Sequence, residues 1–250
     1  MKPGDFTKLG EKYRKLRVGY SEDVLKLLLT HTSSVKGTPV TDVGAGTGIW
    51  TKQLAQSGLK CTAVEPNDDM RENGIIFTEG CKVDWKKGSA EETTLPSNSM
   101  HWITMASSFH WTDPKKSLPE FHRVLKKGGY LTLIWNPLLK EGDKTQEAVE
   151  ALIKKMIPEF DRGSRARDDH ANTIVSTGHF KDVIEIRQVV YVRRTVAEYV
   201  ETWRAVNHLQ AVAGPERFEK LLAAMTDMLK SNKFIDVPYL TKSWTARRVD

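Results

Sequence analysis

The run Val40-Thr41-Asp42-Val43-Gly44-Ala45-Gly46-Thr47-Gly48 limits the possible folds more than any other stretch of the chain. Its apolar start reads as a buried strand, and glycines at alternate positions end it in a turn. A helix pattern begins at once, with Ile49, Trp50, Leu54 and Ala55 at helical spacing and Ser57-Gly58 as the stop. Glycine reaches positive φ and has no side chain to hold a ligand off the backbone, so such a turn can cradle one. Nineteen residues after Gly46, Glu65 closes a second apolar run, Cys61-Thr62-Ala63-Val64. An acid at that distance, at the tip of the next parallel strand, is placed to accept hydrogen bonds from a ribose diol. The expected ligand therefore contains adenosine.

The glycine pattern narrows the choice. Dinucleotide turns read G-x-G-x-x-G, the third glycine allowing close helix packing. Here position 49 is Ile and the pattern is G-x-G-x-G. It resembles motif I of the class I S-adenosylmethionine-dependent methyltransferases, the methyltransferase type 11 group in particular. That resemblance implies S-adenosyl-L-methionine as cofactor and S-adenosyl-L-homocysteine as product. It implies binding by Asp42, Gly44, Ala45, Gly46, Thr47, Gly48, Glu65 and Pro66. Tyr13, Arg17 and Tyr20 match a Y-x-x-x-R-x-G-Y arm that closes over the cofactor in related enzymes, and an Arg can bind the methionine carboxylate bidentately. Met70 is expected against the adenine face, and Ala90 with Glu91 near its exocyclic amine; Glu92 leaves the choice of acid open.

At the end of the expected fourth strand, Met100-His101-Trp102-Ile103-Thr104-Met105-Ala106, stands Ser107-Ser108-Phe109-His110-Trp111. Phe-His-Trp resembles a signature of small-molecule methyltransferases related to trans-aconitate methyltransferase. It implies cofactor contacts at Ala106, Ser107 and Phe109, and substrate contacts at His110 and Trp111. Relatives carry an Asp near the start of this strand where this chain has His101.

The order of elements repeats βα through a fifth strand at 130–136, with Lys126-Lys127-Gly128-Gly129 read as the preceding helix stop. This predicts an α/β fold, a doubly wound, mostly parallel sheet with ligands at the carboxyl ends of its strands. The family implies seven strands, the last antiparallel. The expected third strand lies within 81–91, the sixth at 181–193 and the seventh at 239–247. A single domain is expected over 1–250, with an arm at 1–35, a core at 36–136 plus parts of 180–250, and cap helices within 137–179 and 195–232. Helices at 145–157, 195–212 and 215–231 would carry Tyr199, Trp203, Asn207, His208 and Phe218. Trp135, Trp203 and Asn207 are the further substrate candidates.

Charged residues make up 28% of the 250-residue chain and hydrophobic ones 39%, an ordinary globular balance. The net charge of +6 comes from scattered lysines and arginines, which read as a solvated surface and not a nucleic-acid footprint. Cys61 and Cys81 form no C-x-x-C pair, no cluster has metal-ligand spacing, and buried free thiols are expected. No apolar run reaches the roughly 18–20 residues of a membrane span, and the charged N-terminus is no signal peptide. A cytoplasmic monomer or homodimer is expected.

Methyl transfer from a sulfonium is an in-line displacement with a pre-activated electrophile. The protein then has to position the nucleophile and take its proton, and His110 is the candidate base. A carboxylate acceptor would need none. The leading expectation is methylation of a small molecule, on oxygen before nitrogen. An NAD(P)-dependent oxidoreductase is disfavoured by Ile49. An RNA or protein methyltransferase lacks an Asn-Pro-Pro-Tyr-type motif after the fourth strand, and a noncatalytic cofactor-binding regulator stays open.

Overall fold

The computed structural model describes residues 18–161 and 169–250. Tyr13 and Arg17 lie outside the described residues. The described elements are, in order, α1 (Glu22–His31), β1 (Pro39–Val43), α2 (Ile49–Gln56), β2 (Lys60–Val64), α3 (Asp68–Phe77), β3 (Val83–Lys86), β4 (Met100–Ala106), α4 (Pro114–Val124) and β5 (Leu125–Trp135). Then follow α5 (Lys144–Met156), α6 (His170–Val175), β6 (Phe180–Arg194), α7 (Val196–Thr202), α8 (Asn207–Leu229) and β7 (Ile235–Arg248).

Local chemistry sets the helix starts. Ser21, Asn67 and Asp113 each cap a helix, their side chains accepting from Val24 N, Met70 N and Lys115 N, and Pro114 occupies the first turn of α4. The seven strands form one sheet in the order β3-β2-β1-β4-β5-β7-β6. β1 pairs in parallel with β2 on one side and β4 on the other, while β7 runs antiparallel to both β5 and β6. Strand order thus reverses between β1 and β4, the switch point at whose strand carboxyl ends sheets of this kind bind ligands. One apolar layer, with Leu118, Phe121, Leu131, Leu133 and Trp244, lies under α4 and α6. Another, with Val24, Leu28, Trp50, Leu54 and Trp102, lies under α1 and α2. A third, with Val149, Tyr199, Trp203, Phe218 and Leu221, joins α5, α7 and α8 to the start of β7.

Several expected boundaries move. Lys126–Gly129 does not stop a helix: α4 ends at Val124, and the following residues already belong to β5. An added methyl on Gly129 would stand 2.8 Å from the carbonyl oxygen of His101, so glycine there admits the close approach of β4. The third strand shrinks to Val83–Lys86, leaving Cys81 half-buried in the turn before it, while Cys61 is buried in β2. β6 and β7 are longer than expected because their pairing continues to Arg194 against Ile235. The helix expected at 195–212 is broken by a 3₁₀ turn at Trp203–Ala205, and Gly214, at φ 71° and ψ 163°, kinks α8. Helix α6 had no sequence signal of its own.

Trp85 joins α3 to β3. Its indole donates to Thr78 Oγ1 at 3.0 Å, and its ring lies where a Cβ on Gly74 would be. Helix propensity alone would favour Gly74→Ala by about 1 kcal/mol. Overlap with the ring reverses that sign, so the variant is expected to lose about 1–3 kcal/mol in urea unfolding. A gain in stability would show that Trp85 does not pack there.

Candidate active site

The glycine turn is a main-chain structure. Gly44, Gly46 and Gly48 take φ of 67°, 56° and 78°, the left-handed region that side chains avoid. The N–H groups of Gly44 and Ala45 donate to Val64 O at 2.8 and 3.1 Å, which holds the turn against the end of β2. A Cβ on Gly44 would meet Ser108 Oγ at 2.8 Å, and that hydroxyl donates to Val43 O at 3.1 Å. Glycine at position 44 therefore lets the end of β4 close on the end of β1. At Gly46 the nearest atom to an added Cβ is the Met70 methyl at 3.8 Å, so Met70, which is buried, sits beneath the turn.

Glu65 stands at the end of β2 and is bound to that turn. One carboxylate oxygen accepts from Gly46 N at 2.8 Å and the other from Asn67 N at 2.9 Å. Burial raises its pKa, and the two N–H donors and the charge of Arg71 act in the opposite direction. A carboxylate offers about four lone-pair directions, so two remain for a diol. Pro66 is exposed at the rim. Thr47, inside the turn and 2% exposed, has a buried hydroxyl with no hydrogen-bond partner among the described residues. A polar ligand resting on the turn would satisfy it. Among the described residues no group of three or more His, Cys, Asp or Glu could hold a metal ion.

Asp42, expected at the cofactor, has its carboxylate beneath the glycine turn. It is 1% exposed, and its two oxygens accept from Thr51 Oγ1 at 2.6 Å and Thr104 Oγ1 at 3.2 Å. It joins β1, α2 and β4 beneath the turn and so positions it.

At the end of β4, Ser107 adopts φ 55°, strained for a non-glycine residue. Its N–H donates to Ile134 O at 2.8 Å, and its hydroxyl shares a hydrogen bond with Tyr20 OH at 2.9 Å. Tyr20 also sets its ring edge on Trp50 at 5.2 Å. Gln53 clasps the Tyr20 main chain, accepting from its N–H at 2.9 Å and donating to its carbonyl at 2.8 Å. Asn136 Nδ2 donates to Gly19 O at 2.8 Å, and Thr241 Oγ1 donates to Asn136 Oδ1 at 2.8 Å. Ala106, half-buried, packs on the α1–α2 side of the sheet.

Phe109, His110 and Trp111 form a 3₁₀ turn. Phe109 is buried, His110 is half-buried with its ring tilted on Trp111 at 4.7 Å, and Trp111 is 45% exposed. Ala90 is buried, and Glu91 accepts from Asp113 N at 2.9 Å at the start of α4. Of the two acids left open, Glu91 is thus tied to the Phe-His-Trp loop while Glu92 is exposed. Trp135 ends β5, stacked flat on His170 at 4.1 Å with Trp244 edge-on at 5.7 Å. Lys242, opposite Trp135, lies over the Trp244 ring at 5.5 Å, and burial lowers its pKa. His101 is at the other end of β4, bonded to Thr32 O at 2.7 Å, so the departure from the family pattern does not touch the site.

The cap candidates divide. Trp203 is 3% exposed and packs in the apolar layer with Tyr199, Phe218 and Val149. Asn207 begins α8 and is half-buried. Sequence reasoning missed Gln53, Thr51, Thr104, Ser108, Asn136, His170 and Thr241. Their partners are distant in the chain, and neither motif nor periodicity marks them.

Strand order and glycine turn together are those of the class I S-adenosylmethionine-dependent methyltransferase fold. Residues 41–133 match the family model described as a methyltransferase domain. An uncharacterized methyltransferase of Mycobacterium tuberculosis is 35% identical over 124 residues, 50% of this chain and 49% of that protein. The chain thus spans about half the length of the curated relatives it matches. A proposed methyltransferase from an antibiotic biosynthesis pathway of Anabaena variabilis superposes with a TM-score of 0.62 at 20% identity, over 88% of this chain and 96% of that one. Phosphoethanolamine N-methyltransferase 2 of Haemonchus contortus, solved with phosphomonomethylethanolamine and S-adenosylhomocysteine, gives 0.58 at 16% identity, over 99% of this chain and 59% of that one.

Burial pushes the Asp42 carboxyl up to about 7, the Thr51 and Thr104 hydroxyls oppose that shift, and the nearby Glu65 charge adds to it. A folded-state value above the ordinary 3.8 means that the folded protein holds this proton more tightly. The stability so gained is full below the ordinary value and is lost as pH rises to about 7, a change of about 4 kcal/mol at most. Asp42→Asn removes the titration. Its stability relative to the parent is expected to rise between pH 4 and pH 7 in denaturant unfolding without cofactor, and a difference independent of pH would refute the raised value.

Proposed function

We propose that the protein transfers a methyl group from S-adenosylmethionine to a small molecule, on an oxygen, a carboxylate oxygen included. The observation that carries the cofactor is the bond between Glu65 and Gly46 N, which sets a buried acid with lone pairs to spare beside an open glycine turn. The unpartnered Thr47 hydroxyl supports the same reading.

When bound, the cofactor supplies an electrophilic methyl on a sulfonium. Glu65 holds the ribose diol, with Met70 beneath the turn and the Ala90–Glu91 loop at the adenine edge. The main chain of Gly44–Gly48 lets the ligand approach, and Ser107 with Tyr20 closes the methionine end, where Arg17 of the arm is assigned to the carboxylate. His110 takes the proton of a hydroxyl acceptor, and Trp111 and Trp135 line its approach. The half-exposed aromatics at the ends of β4 and β5 favour a small acceptor, as does the Phe-His-Trp resemblance. Scattered surface charge offers no track for RNA.

Calorimetric titration with S-adenosylmethionine, S-adenosylhomocysteine and NAD tests the cofactor. Binding of NAD without binding of S-adenosylhomocysteine would overturn the proposal. Glu65→Ala is expected to weaken S-adenosylhomocysteine by about 1–3 kcal/mol, the worth of one charged hydrogen-bonding group. A labelled-cofactor screen of hydroxyl and carboxylate acceptors, run beside RNA and protein, tests the acceptor class. With a hydroxyl acceptor, His110→Ala should lower the turnover number by about 10²–10⁴-fold; an unchanged value excludes His110 as the base.

A further inference from the structure

β6 closes one end of the sheet, and among the described residues only β7 pairs with it. From Ile184 to Arg194 that pairing is continuous, and the stretch contains no proline. The outward-facing main chain can be identified. Leu240 N–H donates to Pro137 O, on the β5 side of β7. In an antiparallel ladder the N–H and C=O of one residue point the same way. Leu240 therefore turns its main chain away from β6, and Val189, its partner in register, turns its own away from β7. Pro238, opposite Tyr191, agrees: its carbonyl accepts from Leu139 N, and the N–H it lacks is not needed by β6. Glu185, Arg187, Val189, Tyr191 and Arg193 thus offer their main chain to the outside of the sheet. Val189 and Tyr191 are 38% and 64% exposed.

An edge of this length, unpaired among the described residues, is a template for another strand. We propose that β6 pairs antiparallel with β6 of a second copy of this chain, about a two-fold axis through Val189. In that register Val189 faces itself, Arg187 faces Tyr191, and Glu185 faces Arg193 of the second copy. The patch is self-complementary in charge, as a two-fold interface requires. A slip of two residues one way sets Arg187 against Arg193. The opposite slip sets Glu185 against Tyr191, with no opposite charge facing it. Within one chain Glu185 accepts from Arg187 Nε at 2.6 Å, and Arg193 donates to both oxygens of Asp236 at 2.8 and 2.9 Å. Carboxylates with about four lone-pair directions and guanidiniums with five N–H groups can keep these bonds and add the interchain one.

Sedimentation of the full chain at rising concentration is expected to show a monomer–dimer equilibrium. Val189→Pro removes an outward N–H without taking a bond from β7, at the kind of edge position where proline is tolerated. It should shift the protein to monomer with an unchanged circular dichroism spectrum. Val189→Cys places two thiols across the axis at a Cα spacing of about 5.5 Å, within disulfide range, so mild oxidation should give a covalent dimer. Arg193→Cys, whose copies lie on the order of 27 Å apart in this register, should give none. If Val189→Pro fails to fold, the contrast between the two cysteine variants decides. A wild-type protein that stays monomeric overturns the proposal, and so does a dimer that Val189→Cys does not cross-link.

Discussion

The path of the chain at Gly44–Gly48 is the constraint on which the site depends. Within five residues a strand must end, expose its main chain to a ligand and start a helix, and three left-handed φ values accomplish this. Such a turn has no side chains with which to hold itself. It is held from outside, by Val64 O and Glu65 at the end of β2, by Ser108 at the end of β4 and by Asp42 beneath. Apart from the bond of Asp42 to Thr51 on α2, each of these is a contact between neighbouring strand ends, so the strand order β2-β1-β4 is what holds the turn. The buried carboxyl of Asp42 is the least comfortable part, because burial works against its charge while two hydroxyls work for it.

What the sequence made legible follows from which interactions are local. Ser21 and Asn67 cap helices because a side-chain oxygen can reach an N–H three residues on, and that relation is visible in the sequence. Glu65 was legible because strand, turn and helix lengths in a parallel sheet leave little freedom in its distance from Gly46. The partners of Asp42 were not legible for the complementary reason. Its place at the end of a buried strand was correct, but whether its carboxyl meets a ligand or two threonines depends on Thr51 and Thr104, one on a helix and one on another strand. The KKGG run misled because lysine and glycine suit a helix end, whereas here Gly129 serves the close approach of two strands.

The arm shows the same limit. Gly19 and Tyr20 are fastened by Gln53, Asn136 and Ser107, which come from a helix, a strand end and a loop. No periodicity marks such residues, because each uses a single atom to meet a main-chain or hydroxyl group across the site. Yet the assembly is economical, since Asn136 accepts from Thr241 with one end of its amide and donates to Gly19 with the other. β7 is thereby linked to the segment that leads into the arm.

The glycine turn and the helices after β5 are packed differently. The turn rests on β1, β2 and β4, each fixed by parallel partners and buried on both faces of the sheet. A 3₁₀ turn follows β4, while α5, α7 and α8 share an apolar layer of their own, broken at Trp203–Ala205 and kinked at Gly214. Because that layer is packed around α5, α7, α8 and the start of β7, its side chains can be exchanged without disturbing the layers under α1, α2 and α4. The glycine turn and the helices after β5 thus rest on separate apolar layers, and in such an arrangement function belongs to the site and not to the fold.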